Sequence, residues 1–410
     1  MRVSLMKAVT TSDMLSAQKM TRWNRKMHRW IAIAIAIPMI FVIVTGIFLQ
    51  VRKPVDWIQP PSMTGAQKYQ PTVVLQQVLE NVKAVPEMQV SDWSDIKLLD
   101  LRPKKGIIKV RNFDEFETQV DATTGEVLQS AQRRNDFVVK MHDFSAWNAR
   151  LWLGLPIRLG FLAIFLTGVY LNIKMTPARV KQLPIWTLFK QKKHSESIQT
   201  KRKSLAVVGA TSHSRSLNAT TPSKKSSPGV EAIENIAEKN VAEKSAKDHR
   251  PKRLRLKASL MRYHYWLGWV VIVPWAFVIF SGLLLQVRYE VPWVMPVQQQ
   301  GQGTVPQVEF VQVLETAKQS PDYGVQSWED VWRVYVYPNK GITTIRAKNK
   351  EEMQIDSETS QVLQIATRRT DWLEDIHEGK WMDLNLWLFL PVHILSLFLW
   401  VTGTVVAYSR

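Results

Sequence analysis

Apolar and polar residues alternate along this chain on two scales. On the coarse scale, four apolar runs, Ile31–Leu49, Leu151–Asn172, Tyr263–Val287 and Leu386–Tyr408, stand between long polar stretches. Each holds about 19–25 residues, enough for a helix rising 1.5 Å per residue to cross a hydrocarbon core of roughly 30 Å. The first run is too long for the apolar part of a cleaved signal, and no small-residue cleavage site follows Phe48. The pattern predicts an α-helical membrane protein with spans over 30–50, 150–172, 263–287 and 385–408.

The fine scale appears between spans. Within 51–149 and 288–384, Val73–Val82 and Val308–Ala317 carry apolar residues at helical spacing. Strand-like alternation follows at Ile107–Val110 and Thr118–Asp121, and again at Arg333–Tyr337, Ile342–Arg346 and Met353–Asp356. Gln119–Gln129 reads as strand, tight turn at Thr124-Gly125, and strand; its partner Gln354–Gln364 has Ser360 in place of Gly125, which makes a left-handed turn less secure there. Two small extracytoplasmic α+β domains are expected. Residues 190–260, rich in Ser, Lys, Ala and Thr, have no apolar period, so 173–262 is expected to be a disordered basic linker.

The chain is also written twice. At a shift of 236, His28 falls on His264, Thr45-Gly46 on Ser281-Gly282, and Gln50-Val51-Arg52 on Gln286-Val287-Arg288. At 235, Asp121 falls on Asp356, Arg133-Arg134 on Arg368-Arg369, His142 on His377, and Thr167-Gly168 on Thr402-Gly403. Two tandem repeats related by a pseudo-twofold axis are implied, and residues kept in both copies become informative.

Charge sets the orientation. Residues 1–29 hold seven basic and one acidic side chain, and 174–262 hold 21 and six, a joint excess larger than the +19 of the whole chain. Positive-inside bias places the 1–29 segment, the linker and the C-terminus in the cytoplasm. The charge therefore reports topology, and no aromatic-interleaved basic face suggests nucleic acid. Trp30, Trp152, Trp266, Trp269 and Trp387 lie at span ends, as a lipid-interface belt would place them. With no cysteine, disulfides, thiolate-bound metals and covalent C-x-x-C-H haem attachment are excluded.

Histidines carry the candidate chemistry. His194, His213 and His249 are isolated in the linker, whereas His28, His142, His264, His377 and His393 lie on or beside spans. His28 and His264 open odd-numbered spans; His142 and His377 stand nine residues before the Leu-Trp-Leu that opens even-numbered ones. One pair belongs at each membrane face, and only histidines at one depth can share an ion, so the expected pairs are His28 with His264 and His142 with His377. Imidazole suits axial haem ligation, and two facing ligands make a low-spin electron carrier. The alternative use of an interfacial His is an amphipathic anchor. A zinc site lacks acidic or Cys partners at ligand spacing. Asp143 and Glu378 are candidates to orient the neighbouring rings.

His393 lies deep in the fourth span at the position that Arg158 holds in the second, and either replaces a ligand, bridges two haems or bonds within the bundle. Arg158 calls for an anion such as a propionate, unless it snorkels. Arg52, Arg288, Arg133-Arg134 and Arg368-Arg369 suit propionates, an anionic substrate, or interfacial anchoring. No nucleophile or acid–base pair emerges.

The His-x-Trp opening of span one, the D-x-x-T-G-E-V-L turn (Asp121–Leu128), the His before the second span, and the doubling of the whole unit resemble the PepSY-associated transmembrane-helix family. The resemblance spans the chain except the linker. It implies periplasmic PepSY-like domains at 51–149 and 288–384 and an iron-regulated protein of the bacterial inner membrane. Some members are dihaem reductases that release iron from ferric siderophores. Carried over, the haem b ligand role falls on His28, His142, His264 and His377, with His393 a further candidate and Arg158, Arg52 and Arg288 around the cofactors. No flavin or nucleotide fingerprint is present, so the donor, cytoplasmic or a quinol, must be separate. Rival expectations are a PepSY-type peptide-binding or protease-inhibiting module and an accessory subunit of siderophore uptake, neither with redox activity.

Overall fold

The computed structural model describes residues 11–180 and 252–408. Among the described residues, three helices are long and apolar enough to cross a membrane: α5 (Leu155–Val180), α6 (Lys252–Gln286) and α9 (Leu390–Tyr408). The single span expected over 30–50 is instead two helices, α1 (Thr11–Ala34) and α2 (Ala36–Gln50), interrupted at Ile35; it counts as a fourth span only if the two act together. Pro38 weakens the helix at this point, since it has no N–H for the Ala34 carbonyl and its ring crowds that group, but it does not by itself force the break. The equivalent Pro274 lies inside unbroken α6.

α5 and α6 also extend into 173–262, so the ends of the expected linker are helical. For α6, a span already formed propagates at little cost through the Lys, Arg, Leu and Ala of 252–262. The remainder of that segment, with His194, His213 and His249, lies outside the described residues.

Packing divides the chain into two units. Among described residues, the first gathers 11–30, 165–180, 252–269 and 402–408; the second gathers 31–164 and 270–401.

The second unit contains a sheet built by both repeats. The first repeat supplies an antiparallel meander: β1 (Ile96–Arg102), β2 (Ile107–Asn112), β3 (Phe116–Asp121) and β4 (Val127–Gln132). The second supplies β5 (Val331–Tyr337), β6 (Ile342–Ala347), β7 (Glu351–Asp356) and β8 (Val362–Thr367). Alone, each meander would leave β1 or β5 as an open edge, and such edges pair readily. They pair with each other, Leu99 opposite Val336 and Leu101 opposite Val334, in the order β4-β3-β2-β1-β5-β6-β7-β8. The two expected domains thus share one eight-stranded sheet.

Side chains alternate across it. Leu99, Leu101, Ile108, Val110 and Val120, with Val334, Val336, Ile345, Met353 and Ile355, form the core with α3 (Leu75–Lys83) and α7 (Phe310–Lys318). The other face is polar yet buried, and includes Asp100, Lys109, Glu117, Gln119, Glu352 and Gln354. Ser360 adopts the left-handed conformation of Gly125 (φ 63° against 79°), so the turn is the same in both copies. Asp121 and Asp356 hold these turns by accepting backbone N–H groups from Thr123 and Thr124, and from Glu358 and Thr359.

From the sheet the chain returns through α4 (Asn135–His142) and α8 (Thr370–Glu378). Left-handed residues, Phe144 and Asn148 in one copy and Gly379 and Asp383 in the other, reverse it. Wide π-type turns at Arg150–Gly154 and Asn385–Phe389 then lead into α5 and α9. Their loosened carbonyls are bound across repeats. Gln50 Nε2 donates to Glu378 and Asn385 carbonyls at 2.9 and 2.6 Å, and Gln286 Nε2 to those of Asp143 and Arg150.

Candidate functional site

α4 does not continue straight into α5. The reversal after His142 folds α4 against α2, bringing His142 level with Thr45-Gly46 rather than standing it above the second span as a continuous helix would. His142 Nδ1 lies 3.0 Å from Thr45 Oγ1. Thr45 donates its own hydroxyl hydrogen to the Phe41 carbonyl at 2.8 Å, so it accepts from His142 Nδ1–H. In the second copy His377 Nδ1 lies 3.1 Å from Ser281 Oγ and 3.0 Å from the Val278 carbonyl, and Ser281 donates to Phe277 at 2.5 Å. A carbonyl only accepts, so Nδ1 again carries the hydrogen. Both rings are therefore held as the tautomer whose bare nitrogen is Nε2, the form that binds metals.

The adjoining glycine makes room. A Cβ built on Gly46 would lie 3.4 Å from His142 Cε1, and one on Gly282 would lie 2.9 Å from His377 Cε1. The first unit repeats the arrangement. His28 Nδ1 is 2.9 Å from Thr167 Oγ1, and a Cβ on Gly168 or Gly403 would lie 3.3 or 2.7 Å from Cε1 of His28 or His264. Four histidines thus rest on four Thr/Ser-Gly steps of their own repeats.

Across repeats the rings face one another in two pairs. In the first unit the His28 and His264 centroids are 6.4 Å apart at 77°; in the second those of His142 and His377 are 6.4 Å apart at 65°. These are the pairs expected from the sequence. Two imidazole nitrogens bound at about 2 Å on opposite sides of one metal ion put ring centroids about 6 Å apart. Among the described residues no group of three or more His, Asp or Glu is arranged for a metal. Each pair could offer a metal two imidazole nitrogens.

The family model for the PepSY-associated TM region matches residues 25–410. The chain belongs to this family. No curated protein matches it. With its apolar helices, membership makes it a multi-pass membrane protein of the PepSY-associated type.

In this PepSY-associated protein His393 lies on α9 and donates Nδ1–H to the Phe389 carbonyl at 2.6 Å. Its Cδ2 would be 3.9 Å from a Cβ on Gly46, so it stands beside the same step as His142. Arg158 donates to the His142 carbonyl at 3.0 Å and to the Gly154 carbonyl at 3.4 Å.

The acidic neighbours do not orient the rings. Glu378 is bound by Arg52 at 2.8 Å and by Lys380; Asp143 accepts the Ser145 N–H. Burial opposes ionisation of Glu378, but Arg52 and Lys380 outweigh it and hold the carboxyl below its usual value. The ring-orienting groups are Thr45, Ser281 and Thr167, which the sequence marked only as members of the Thr/Ser-Gly steps shared by both repeats. Their hydroxyls beside glycines that the repeat preserves were the available signal.

A cavity of about 850 Å³ opens in the second unit. Its lining includes His142, His377 and Gly282 and, from the polar sheet face, Arg111, Arg333 and Arg346. Arg133 and Arg368 also line it, but each is committed to a buried network, to Glu117 and Asp136 or to Glu352 and Asp371. Arg288 lies 3.7 Å from Glu374. Arg134 and Arg369 stack on Trp57 and Trp293 and donate to their carbonyls.

Proposed function

We propose that this protein is an electron-transfer oxidoreductase of the bacterial inner membrane, holding two b-type haems and reducing ferric siderophores in the periplasm to release iron. The observation that supports it most is the duplicated histidine pair at 6.4 Å, with Nδ1 of His142 and His377 committed as donor. His28 with His264, and His142 with His377, would hold the cofactors through Nε2. Haem held in this way would supply one-electron transfer.

Thr45, Ser281 and Thr167 keep the rings oriented, and the adjoining glycines keep the approach narrow. Arg158, beside the His142 carbonyl, is placed to neutralise a cofactor carboxylate. The basic flanks favour a cytoplasmic start of the path, where a separate donor, soluble or quinol, delivers electrons. At the outer face ferric iron is reduced to ferrous, which binds hard oxygen donors less tightly. Reduction alone thus suffices for release, and no acid–base machinery is needed.

The test is the reduced-minus-oxidised visible spectrum of full-length protein purified after haem-replete expression. A Soret band at two haems per chain is expected, with His142→Ala losing one and sparing the other. His393→Ala should leave both. Anaerobic addition of a ferric siderophore should reoxidise the reduced protein as ferrous iron appears. Absence of a Soret band would sink the proposal. Haems that stay reduced with several chelates would sink the reductase part.

A further inference from the structure

The cavity beside His142 and His377 is strongly cationic. Thirteen Lys and Arg line it against five Asp and Glu. Most of these cations have carboxylate partners: Arg102, Arg111 and Arg333 share Asp100, Arg346 and Arg368 share Glu352, and Arg52 and Lys380 share Glu378. Arg158 has only the His142 and Gly154 carbonyls, and three lysines also lack a carboxylate partner. Lys53, Lys105 and Lys350 line the cavity without an ion pair among the described residues; Lys105 donates only to the Ser62 carbonyl, at 3.1 Å. Lys53 and Lys350 are exposed, so solutes can reach them. Although Lys53 reaches solvent, partial burial of its ammonium lowers its pKa, and the nearby Lys380 and Arg52 lower it further, against Glu378. Burial and Arg102 do the same for Lys105. Ammonium groups crowded by other cations are stabilised by an anion that enters from outside.

We propose that this cavity is the substrate site and selects ferric chelates of net negative charge, with carboxylate or catecholate donors, over neutral ones, through Lys53, Lys105 and Lys350. The inference rests on the reductase reading for its purpose, but not for its binding chemistry. A surplus of cations beside a low-dielectric wall concentrates anions and steers them toward the histidine pair. The sheet roof contributes to the selection, because the buried carboxylates behind Arg111 and Arg346 fix those guanidinium groups in place.

The test uses the oxidised full-length protein in detergent, so no electron moves. Three probes are titrated at low and high salt: a ferric α-hydroxycarboxylate chelate, an anionic ferric tris-catecholate, and a ferric trihydroxamate of zero net charge. The two anions should bind at least about tenfold more tightly than the neutral chelate, and lose that margin in high salt. Combined Lys53→Ala, Lys105→Ala and Lys350→Ala should abolish the margin while leaving neutral-chelate binding, melting temperature and the haem spectrum unchanged. Equal affinity for the neutral chelate would overturn the inference, as would a margin that survives the substitutions. Loss of haem from the variant would also overturn it, by assigning these lysines to cofactor carboxylates. Charge-selective binding without reoxidation of the reduced protein would uphold the site and sink the reductase reading instead.

Discussion

His142 and Thr45 are joined by a hydrogen bond of 3.0 Å whose direction is set, because Thr45 spends its own hydrogen on Phe41. Thr45→Val keeps the side-chain volume and removes the acceptor. On the haem reading, retention at the His142–His377 site should weaken about 10–100-fold, as for other lost partners of metal-bound histidines. Thr45→Ser should restore it. Haem absorbance per chain after dialysis against apomyoglobin measures the effect. An unchanged Thr45→Val protein would assign the contact to packing.

The glycine steps are tighter in the second copy. Ideal Cβ atoms on Gly282 and Gly403 fall 2.9 and 2.7 Å from their rings, against 3.4 and 3.3 Å for Gly46 and Gly168. Gly282→Ala and Gly403→Ala must displace an imidazole, whereas Gly46→Ala and Gly168→Ala need a small adjustment. Low-spin signals in the electron paramagnetic resonance spectrum should shift or broaden more for the first two. The reverse order would show that the helices, not the rings, yield.

Beneath the sheet, Lys109 and Glu117 are both 0% exposed and 2.6 Å apart, with Arg111 and Arg133 on the second Glu117 oxygen. Removing one charge of a buried pair leaves the other uncompensated, so Glu117→Gln should cost about 3–5 kcal/mol. Thermal melting of the detergent-solubilised protein reads this, and a loss below about 1 kcal/mol would mean water reaches the pair.

The same network sets the pH response. Burial opposes ionisation of Asp100, Glu117 and Asp136, but the surrounding guanidinium and ammonium groups outweigh it and hold all three below the ordinary carboxylate range. The native state then binds fewer protons than the unfolded chain in acid. The stabilisation is present above about pH 4 and is lost as pH falls through the native values. Lys109 acts in the opposite window. Burial pushes it down to about 8 from 10.5, so its penalty is relieved, and stability rises, as pH climbs between those values. Melting temperatures from pH 3 to 10 should show the acid loss, and Glu117→Gln should flatten it.

Ser360 holds φ at 63°, a conformation that costs a side-chain-bearing residue about 1 kcal/mol or more. Ser360→Gly should raise the melting temperature slightly, while Gly125→Ser should lower it. Equal melting temperatures would mean that the Asp356 turn bonds already offset the strain.

Much of this protein was determined locally. Apolar run length found the three helices long and apolar enough to cross a membrane, but not the break at Ile35 in the first run. Alternation placed the strands of both repeats except β1, where adjacent Leu98 and Leu99 interrupt it, and Asp121 with Thr124-Gly125 specified a turn that Asp356 reproduces despite Ser360. Duplication picked out four histidines and paired them by depth, since only histidines at one depth can share an ion. What sequence could not supply depends on contacts between distant segments. Pairing of β1 with β5 is a choice between two edges, each of which would accept many partners. The fold-back that carries His142 to Thr45 turns on left-handed residues, Phe144 and Asn148, whose side chains do not announce that conformation. Whether an arginine is committed or available also depends on its neighbours. Arg133 and Arg368 recur in both copies and looked like anion binders, yet the sheet hands each a buried glutamate. Lys53, Lys105 and Lys350 carry no motif, and only the folded chain gathers them around one cavity.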